Sequence, residues 1–398
     1  MGHMKWEHTK PYENHFWKKN KLNLLKETVT EIDPKEKTIS LSNESILSYD
    51  SLILATGSVP NKFGWPGENL KGVQGLYSKQ DLESLESLSN TIDHAVIVGG
   101  GLIGIELAEM LHARGKKVTF LVREESFWNN VLPKGASEMI NLHILSQGID
   151  LRLKTNLSEI LEDENGRAKA IRTDSGEIIE CQFVGLTAGV RPNIDFIKNT
   201  TIASNRGILV NKYLETSEPN IYAVGDCAEQ QEPLENRRAI EAVWYTGRMM
   251  GETVAQTLTG EKTAYHPGHW FNSAKFFDIE YQTYGVVSAH PQEPEIHFHW
   301  EDLEKEIAVT IAFHKDSNLF LGINTFGIRM RHEIFNQMLN NESTVFHVME
   351  HLGDCNFDSE FFKSYEKEIL SKFNQDYNTK IKLKKKSWTR IFNSKIAK

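Results

Sequence analysis

Apolar runs broken by glycine and proline recur along the first two thirds of the chain. The runs at 52–55, 94–98 and 221–224 lack the polar alternation of a half-exposed strand, so each is predicted to be a strand buried on both faces of a parallel sheet. The pattern as a whole predicts strands at 52–55, 94–98, 117–122, 184–189 and 221–224, and helices at 78–89, 102–112, 134–147 and 239–258. This alternation is typical of an α/β protein.

Shorter patterns flank these elements. Alternation in patches at 23–43 predicts a β-meander, and the segments around 151–153, 160–162 and 168–172 predict strand pairs. From His266 onward the composition changes to strands rich in aromatic residues, with helices at 330–339 and 359–373. We therefore expect a separate α+β domain at 266–376.

Charge is unevenly distributed along the 398 residues. The net charge is −9, yet the segment 377–398 contains eight Lys or Arg residues and no acid. Two interpretations of this basic tail stay open: a solvated chain end, or a docking arm for an acidic protein partner. The strongly acidic remainder argues against nucleic acid as a partner.

The rest of the composition indicates an ordinary globular protein. Hydrophobic residues make up 39% of the chain, no apolar run is long enough to cross a bilayer, and the first ten residues lack the apolar core of a secretion signal. Cys181, Cys227 and Cys355 lie far apart, which supports neither a disulfide framework nor a cysteine metal site. We expect a cytoplasmic protein with no membrane partner.

A glycine-rich loop follows the predicted strand at 94–98 and opens the helix that ends near His112. Gly99 would allow the tight turn, Gly101 the approach of a pyrophosphate to the backbone, and Gly104 close packing of helix on strand. The helix N-terminus would face the phosphates with its partial positive charge. The alternative is an ordinary glycine-rich turn, but the strand before the loop and the helix after it favour a dinucleotide site.

The choice of nicotinamide nucleotide depends on the end of the next strand. Val122 stands where an acid usually accepts the ribose hydroxyls, and Arg123 and Glu124 follow it. Glu124 would serve NADH and Arg123 would serve NADPH, so both nucleotides stay open.

Four segments carry a family resemblance: 49–57, 96–109, 189–193 and 221–228. As an ordered set they resemble the pyridine-nucleotide flavin oxidoreductases of the glutathione reductase fold, in the branch of rubredoxin and ferredoxin reductases and the flavin portion of nitrite reductases. The resemblance spans roughly 25–260. It implies an NAD(P)H-binding domain at 91–200 inserted into an FAD-binding domain at 1–90 and 201–265, with the domain at 266–376 forming a homodimer contact or the acceptor site.

The resemblance also implies roles for individual residues. Asp226 would hydrogen-bond the flavin ribityl chain beside Gly225, and Glu106 would lie near the nicotinamide carboxamide as the candidate catalytic acid; a buried structural aspartate and a solvent-facing glutamate are the alternatives. Leu102 would gate the nicotinamide pocket. With the glycine loop and the following strand end, the candidate cofactor-binding residues are Ala55, Thr56, Gly57, Gly99, Gly101, Leu102, Ile103, Gly104, Glu106, Arg123, Glu124, Gly189, Gly225, Asp226, Glu241 and Trp244.

Family members begin with a strand and a Gly-x-Gly-x-x-Gly loop for the ADP half of FAD, and no such loop precedes Ala55. We therefore expect an incomplete FAD domain and weak or absent FAD binding by this chain alone. The predicted function is an FAD-dependent NAD(P)H oxidoreductase that passes electrons to a small acceptor such as an iron–sulfur protein or rubredoxin. The alternative is a non-catalytic NAD(H)-binding sensor or scaffold.

A cysteine and a set of histidines are further candidates for redox or metal chemistry. Cys227 stands next to the Gly225-Asp226 pair, a slot that the resemblance implies is a packing position. His297 and His299 are spaced to share one face of a strand, and His266 and His269 lie upstream, but no third ligand of matching context accompanies them. No metal site is predicted.

Overall fold

A computed structural model describes residues 4–357 and 363–384. The chain forms two compact units: unit 1 contains the described residues up to 93 with 162–168 and 182–267, and unit 2 contains 94–161, 169–181 and the described residues from 268 onward. Unit 2 thus groups 94–161 with the C-terminal residues, whereas the sequence-based boundaries separate them; those boundaries stay a prediction. The end of the basic tail, 385–398, and residues 358–362 lie outside the described residues.

The helices and strands are numbered in chain order. The helices are α1 Trp6–Thr9, α2 Asn14–Lys19, α3 Lys79–Leu88, α4 Leu102–His112, α5 Lys134–Ser146, α6 Trp244–Leu258, α7 His332–Asn340, α8 Val345–Glu350, α9 Leu352–Cys355 and α10 Glu366–Asp376. The strands are β1 Val29–Asp33, β2 Thr38–Leu41, β3 Ile46–Ser48, β4 Leu52–Leu54, β5 Ser58–Pro60, β6 Val73–Gln74, β7 His94–Val98, β8 Lys117–Val122, β9 Asp150–Leu153, β10 Leu157–Glu162, β11 Ala168–Thr173, β12 Ile178–Glu180, β13 Phe183–Leu186, β14 Val190–Pro192, β15 Ile208–Val210, β16 Ile221–Ala223, β17 Ala228–Gln230, β18 Phe271–Phe276, β19 Ile279–Gly285, β20 Glu295–Asp302, β21 Ile307–His314 and β22 Phe320–Phe326.

Unit 1 contains the predicted meander and several short strand pairs. Strands β1, β2 and β3 are antiparallel neighbours, while β4 pairs in parallel with β16 so that Leu54 lies opposite Ala223. Strand β5 pairs with β14, and β15 with β17. One apolar core joins these pairs to α6, and Leu54, Ile221 and Val254 belong to it. Because β4 and β16 run side by side, the loops after both strands leave the same edge of the pair.

Unit 2 opens on a parallel sheet in which β8 lies between β7 and β9. Strand β7 is apolar because it is buried on both faces: Ala95, Val96 and Ile97 are each 0% exposed. Helix α4 follows it directly and packs on β7 and β8. The order along the chain is therefore the one that the sequence predicts: β7, the glycine loop, α4 and then β8.

The C-terminal part of unit 2 is an antiparallel sheet with the order β18-β19-β22-β21-β20. Its core joins sheet residues such as Phe298 and Ile311 to helix residues such as Phe335, Val348 and Phe373. An antiparallel sheet packed against helices is thus present in this region, as the aromatic-rich pattern predicts, and the domain bounds 266–376 stay a prediction. No helix in 4–357 or 363–384 is both long and apolar enough to cross a membrane.

Three helix boundaries differ from the sequence prediction. The helix predicted at 239–258 begins at Trp244, because Val243 is extended and Glu241 is held in an ion pair with Arg237. The helix predicted at 330–339 is α7, which begins at His332. The described part of the helix predicted at 359–373 is α10, which begins at Glu366 and extends to Asp376.

Candidate nucleotide sites

The loop between β7 and α4 has the backbone that the glycine pattern predicts. Gly99 has a φ of +121°, which favours glycine, and its amide donates to the Leu121 carbonyl at 3.0 Å. A Cβ atom added to Gly101 would meet no atom of residues 4–357 and 363–384 within 4 Å, so open space lies beside this backbone. Gly101 is also the N-cap of α4 and no side chain caps the helix there. The first amides of α4 are therefore available to an anion.

Gly100 has a packing role that the sequence analysis did not assign. A Cβ on this residue would lie 2.9 Å from Val122 Cγ1 and 3.6 Å from Phe127. Gly100 thus lets the loop pass close to the end of β8. The signal was present in the run of three glycines, but only the packing shows which of them faces β8 and which faces open space.

The first turns of α4 carry the other candidates of this loop. Leu102 and Ile103 are half-buried, and Gly104 is buried within the helix. Glu106 points to the surface two residues after Gly104, and desolvation together with the nearby Glu109 carboxylate raises its pKa. A carboxyl group with a raised pKa near the N-terminus of a helix fits the candidate acid, whose role stays a prediction.

The end of β8 brings the two specificity candidates into contact. Arg123 Nε donates to Glu124 Oε1 at 2.6 Å; the arginine side chain is 77% exposed and the glutamate 29%. Glu125 pairs instead with Lys154. Because each candidate partly neutralises the other, this geometry leaves the choice between NADH and NADPH open.

In unit 1, the segment Ala55-Thr56-Gly57 is tied to the segment that follows β14. Thr56 Oγ1 donates to the Asn193 carbonyl at 2.8 Å, and the Asn193 amide donates to the Gly57 carbonyl at 2.9 Å. Ala55 is exposed at the end of β4. Gly189 has a φ of +88°, and its carbonyl accepts from the Asn61 amide. The segments 49–57 and 189–193, two of the four that carry the family resemblance, are therefore in contact.

The segment 221–228 meets the segment 49–57 through the pairing of β4 with β16, and its Asp226 contacts two residues beyond 49–57. Asp226 Oδ2 accepts from Ser58 Oγ at 3.0 Å and from Tyr77 Oη at 3.3 Å. Within the described residues Asp226 Oδ1 has no donor, and Gly225, with a φ of +71°, has open space where a Cβ would be. Tyr77 was missed by the sequence analysis because it lies 149 positions from Asp226.

Helix α6 packs closely on the Gly225 turn. A Cβ on Gly247 would lie 3.5 Å from Gly225 Cα, and Met250 sulfur accepts from the Gly225 amide. Trp244, in the first turn of α6, is 68% exposed and lies under the Arg248 guanidinium. The sequence placed Trp244 inside a helix beginning at 239, whereas it is the first residue of α6; its role toward a cofactor stays a prediction.

Glu241 has a partner that the sequence analysis did not foresee. Its carboxylate receives two hydrogen bonds from Arg237, from Nε at 2.6 Å and from Nη2 at 2.5 Å, and both side chains are nearly fully buried. The pair lies just before α6. It gives Glu241 a structural role next to the helix start, and a direct cofactor contact stays only a prediction.

The residues present fit both expected cofactors in chemical type. The open backbone at Gly101 and the uncapped α4 suit a pyrophosphate, while Gly225 and the free oxygen of Asp226 suit a hydroxyl-bearing chain. Cys227 is fully buried and its thiol lies 3.4 Å from the Leu54 carbonyl, as expected of a packing position. His297 and His299 contact Glu295 and Thr310 respectively.

Comparison with known proteins agrees with this geometry. The assimilatory nitrate reductase electron transfer subunit of Bacillus subtilis is 34% identical over 205 residues, which are 51% of this chain and 26% of that protein. NADH-rubredoxin oxidoreductase of Clostridium acetobutylicum is 33% identical over 218 residues, which are 54% of this chain and 53% of that protein. The matched part of the chain thus spans about a quarter of the length of the first relative and about half of the length of the second.

A solved structure shares the fold. The NAD-dependent persulfide reductase from A. fulgidus matches 92% of this chain and 71% of its own with a TM-score of 0.80 at 20% identity. The α/β fold class and the resemblance inferred from the motifs are both confirmed. Because residues 7–251, more than half of the chain, match the model of the family, the chain belongs to the pyridine nucleotide-disulphide oxidoreductases.

Proposed function

We propose that the chain functions as an FAD-dependent NAD(P)H oxidoreductase that passes electrons to a small acceptor protein of the iron–sulfur or rubredoxin type. The observation that carries the proposal is the open backbone of Gly101 at the uncapped N-terminus of α4. Family membership and the contact of Asp226 with Ser58 and Tyr77 support the flavin side of the proposal.

The proposed roles follow from charge and access. The α4 amides and Gly101 would bind the pyrophosphate of the nucleotide, and Glu106 would contact its carboxamide. Asp226 would bind ribityl hydroxyls through Oδ1, since Oδ2 is already engaged. When bound, the flavin would take a hydride from the nicotinamide and release the electrons singly, which is the chemistry of that cofactor. The protein contributes position and electrostatics.

The type of electron acceptor is proposed from the names of the relatives and from the positive charge of the basic tail. The Clostridium acetobutylicum relative is by name a rubredoxin oxidoreductase. The basic tail supports an acidic partner, and its attraction would weaken as salt is added. We place the chain in the cytoplasm, because it has only three cysteines and they lie far apart in the sequence, as is common in proteins of a reducing compartment.

A titration tests the function. The purified chain is equilibrated with excess FAD, and NADH or NADPH is added without oxygen while the visible flavin band is followed. Bleaching that is faster than with free FAD supports the reductase, and Asp226→Ala is expected to reduce flavin affinity at least tenfold without changing nucleotide binding. Nucleotide binding without faster bleaching contradicts the reductase and supports the sensor.

A further inference from the structure

A buried histidine in unit 2 faces two carboxylates outside the nucleotide sites. His143 lies on α5 and its side chain is 1% exposed. Glu306 Oε1 is 2.7 Å from Nδ1, and Asp278 Oδ1 is 3.0 Å from Nε2. The three side chains bring α5 together with the turn between β18 and β19 and the turn before β21.

The two ring nitrogens differ in how they are satisfied. Nδ1 makes an aligned hydrogen bond with Glu306, but Nε2, although it is buried, has no hydrogen-bond partner among the described residues. Asp278 Oδ1 is close enough to Nε2 but lies off the line of an N–H bond. An unpaired buried nitrogen is costly, so some group is expected to satisfy Nε2.

A divalent transition metal accounts for this arrangement. Nitrogen and oxygen ligands of such ions bind at about 2.1 Å. Two neighbouring ligands of an octahedral ion, which are held at right angles, are then about 3.0 Å apart. The separation of Nε2 and Asp278 Oδ1 is 3.0 Å. An oxygen at this distance that makes no hydrogen bond to Nε2 fits an adjacent ligand of a shared ion.

Glu306 completes the arrangement as a positioning residue. A metal-binding histidine commonly donates its other ring N–H to a carboxylate, which fixes the tautomer and makes the ligand nitrogen more basic. The bond between Nδ1 and Glu306 has this geometry and leaves the lone pair on Nε2. The Asp278 side chain is 74% exposed, so an ion can enter from solvent and keep water as further ligands.

We propose that His143 Nε2 and Asp278 bind a divalent transition metal, with Glu306 orienting the imidazole. Imidazole with carboxylate suits Zn²⁺, Ni²⁺ or Co²⁺ rather than Mg²⁺ or Ca²⁺. The ion would join α5 to the C-terminal sheet of unit 2. The competing arrangement is an imidazolium held between two carboxylates, which needs no metal.

Equilibrium dialysis of the full chain against Zn²⁺, with thermal unfolding in parallel, tests the site. Asp278→Asn is the test variant, because the exposed carboxylate can be changed without opening the core. Glu350→Gln is the control, since Glu350 belongs to the other histidine–carboxylate group, with His347 and His351. We expect the wild type and the control to be stabilised by Zn²⁺, and Asp278→Asn to bind one equivalent less and to lose most of the shift in Tm.

Three outcomes of the Zn²⁺ measurements would overturn the proposal. They are no Zn²⁺ binding by the wild type, binding that is unchanged in Asp278→Asn, or binding that is lost only in Glu350→Gln. The Ca²⁺ measurement gives a further test. If Asp278→Asn reduced the Tm shift caused by Ca²⁺ as much as the shift caused by Zn²⁺, the proposal would also be contradicted, because the histidine ligand would then play no part. Glu306→Gln should weaken Zn²⁺ about tenfold or more while keeping the stoichiometry.

Discussion

The hydroxyl of Tyr77 lies over the backbone of Gly57. A Cβ atom built on Gly57 would be 2.6 Å from Tyr77 Oη. The hydroxyl is held there because it accepts from the Ser58 amide at 2.7 Å and contacts Asp226 Oδ2. Gly57 therefore serves two needs at once, a left-handed backbone with a φ of +66° and room for the tyrosine.

We expect Gly57→Ala to destabilise the chain by about 2 to 3 kcal/mol. Roughly 1 kcal/mol comes from the backbone conformation, and about 1 to 2 kcal/mol comes from displacing the Tyr77 hydroxyl from its hydrogen bonds. Urea unfolding of both proteins measures the difference.

Gly64→Ala is the matched control for that measurement. Gly64 has a φ of +78°, and no atom in the part of the chain that the structure describes lies within 4 Å of its Cβ position, so it isolates the backbone cost. In a Tyr77→Phe background the extra cost of Gly57→Ala should largely disappear. An equal cost in both backgrounds would show that the tyrosine contact contributes nothing.

These contacts mark the limit of what the sequence predicts. The strand–loop–helix unit from β7 to α4 follows from local pattern, because apolar runs and glycines fix it within a few residues. The partners of Asp226 do not, because Ser58 and Tyr77 lie 168 and 149 positions away. The predicted start of α6 was wrong for a related reason: apolar spacing at 239–243 suits a helix, but Val243 is extended and the buried Arg237–Glu241 pair lies just before it.

Gly101→Ala should separate folding from nucleotide binding. The backbone φ of Gly101 is −135° and its Cβ position is open, so alanine costs less than about 0.5 kcal/mol in stability. The added methyl group would instead occupy the approach of the pyrophosphate. We expect NADH affinity, measured by calorimetry, to fall at least tenfold.

Gly251→Ala provides the comparison for Gly101→Ala. Gly251 lies in α6 with nothing within 4 Å of its Cβ position. Alanine there should leave NADH binding unchanged and raise stability slightly, because it favours helix. If the two variants bind NADH equally well, Gly101 does not line the nucleotide site.

Glu124→Ala should shift the choice of nucleotide toward NADPH. The change removes the carboxylate that would bind ribose hydroxyls and frees Arg123 for a 2′-phosphate. We expect the ratio of NADPH to NADH affinity to rise roughly tenfold or more. Glu125→Ala is the control, because Glu125 pairs with Lys154 and not with Arg123; an identical shift in both variants would point to general charge and not to the pair.

The raised pKa of Glu106 predicts the direction in which the stability of the chain changes with pH. The folded chain holds this proton more tightly than the unfolded chain, so the contribution to stability is present at low pH and is lost as pH rises through the raised pKa. Relative to wild type, Glu106→Gln should therefore gain in Tm as pH rises from acid to neutral. Glu109→Gln removes a neighbouring charge and should lower the pKa of Glu106 in an NMR titration, and an unchanged pKa would contradict the contribution assigned to Glu109 but not that of desolvation.

Two Arg–Glu ion pairs, each with the glutamate four positions after the arginine, allow the effect of burial on the stability of an ion pair to be measured separately. The Arg237 and Glu241 side chains are 6% and 5% exposed, whereas those of Arg248 and Glu252 are 63% and 59% exposed. Breaking a buried pair leaves an uncompensated charge, so Glu241→Gln should cost about 3 kcal/mol or more. Glu252→Gln should cost less than about 0.5 kcal/mol, because water screens the exposed pair. Urea unfolding measures both, and a cost for Glu241→Gln as small as that for Glu252→Gln would mean that water reaches the Arg237–Glu241 pair in solution.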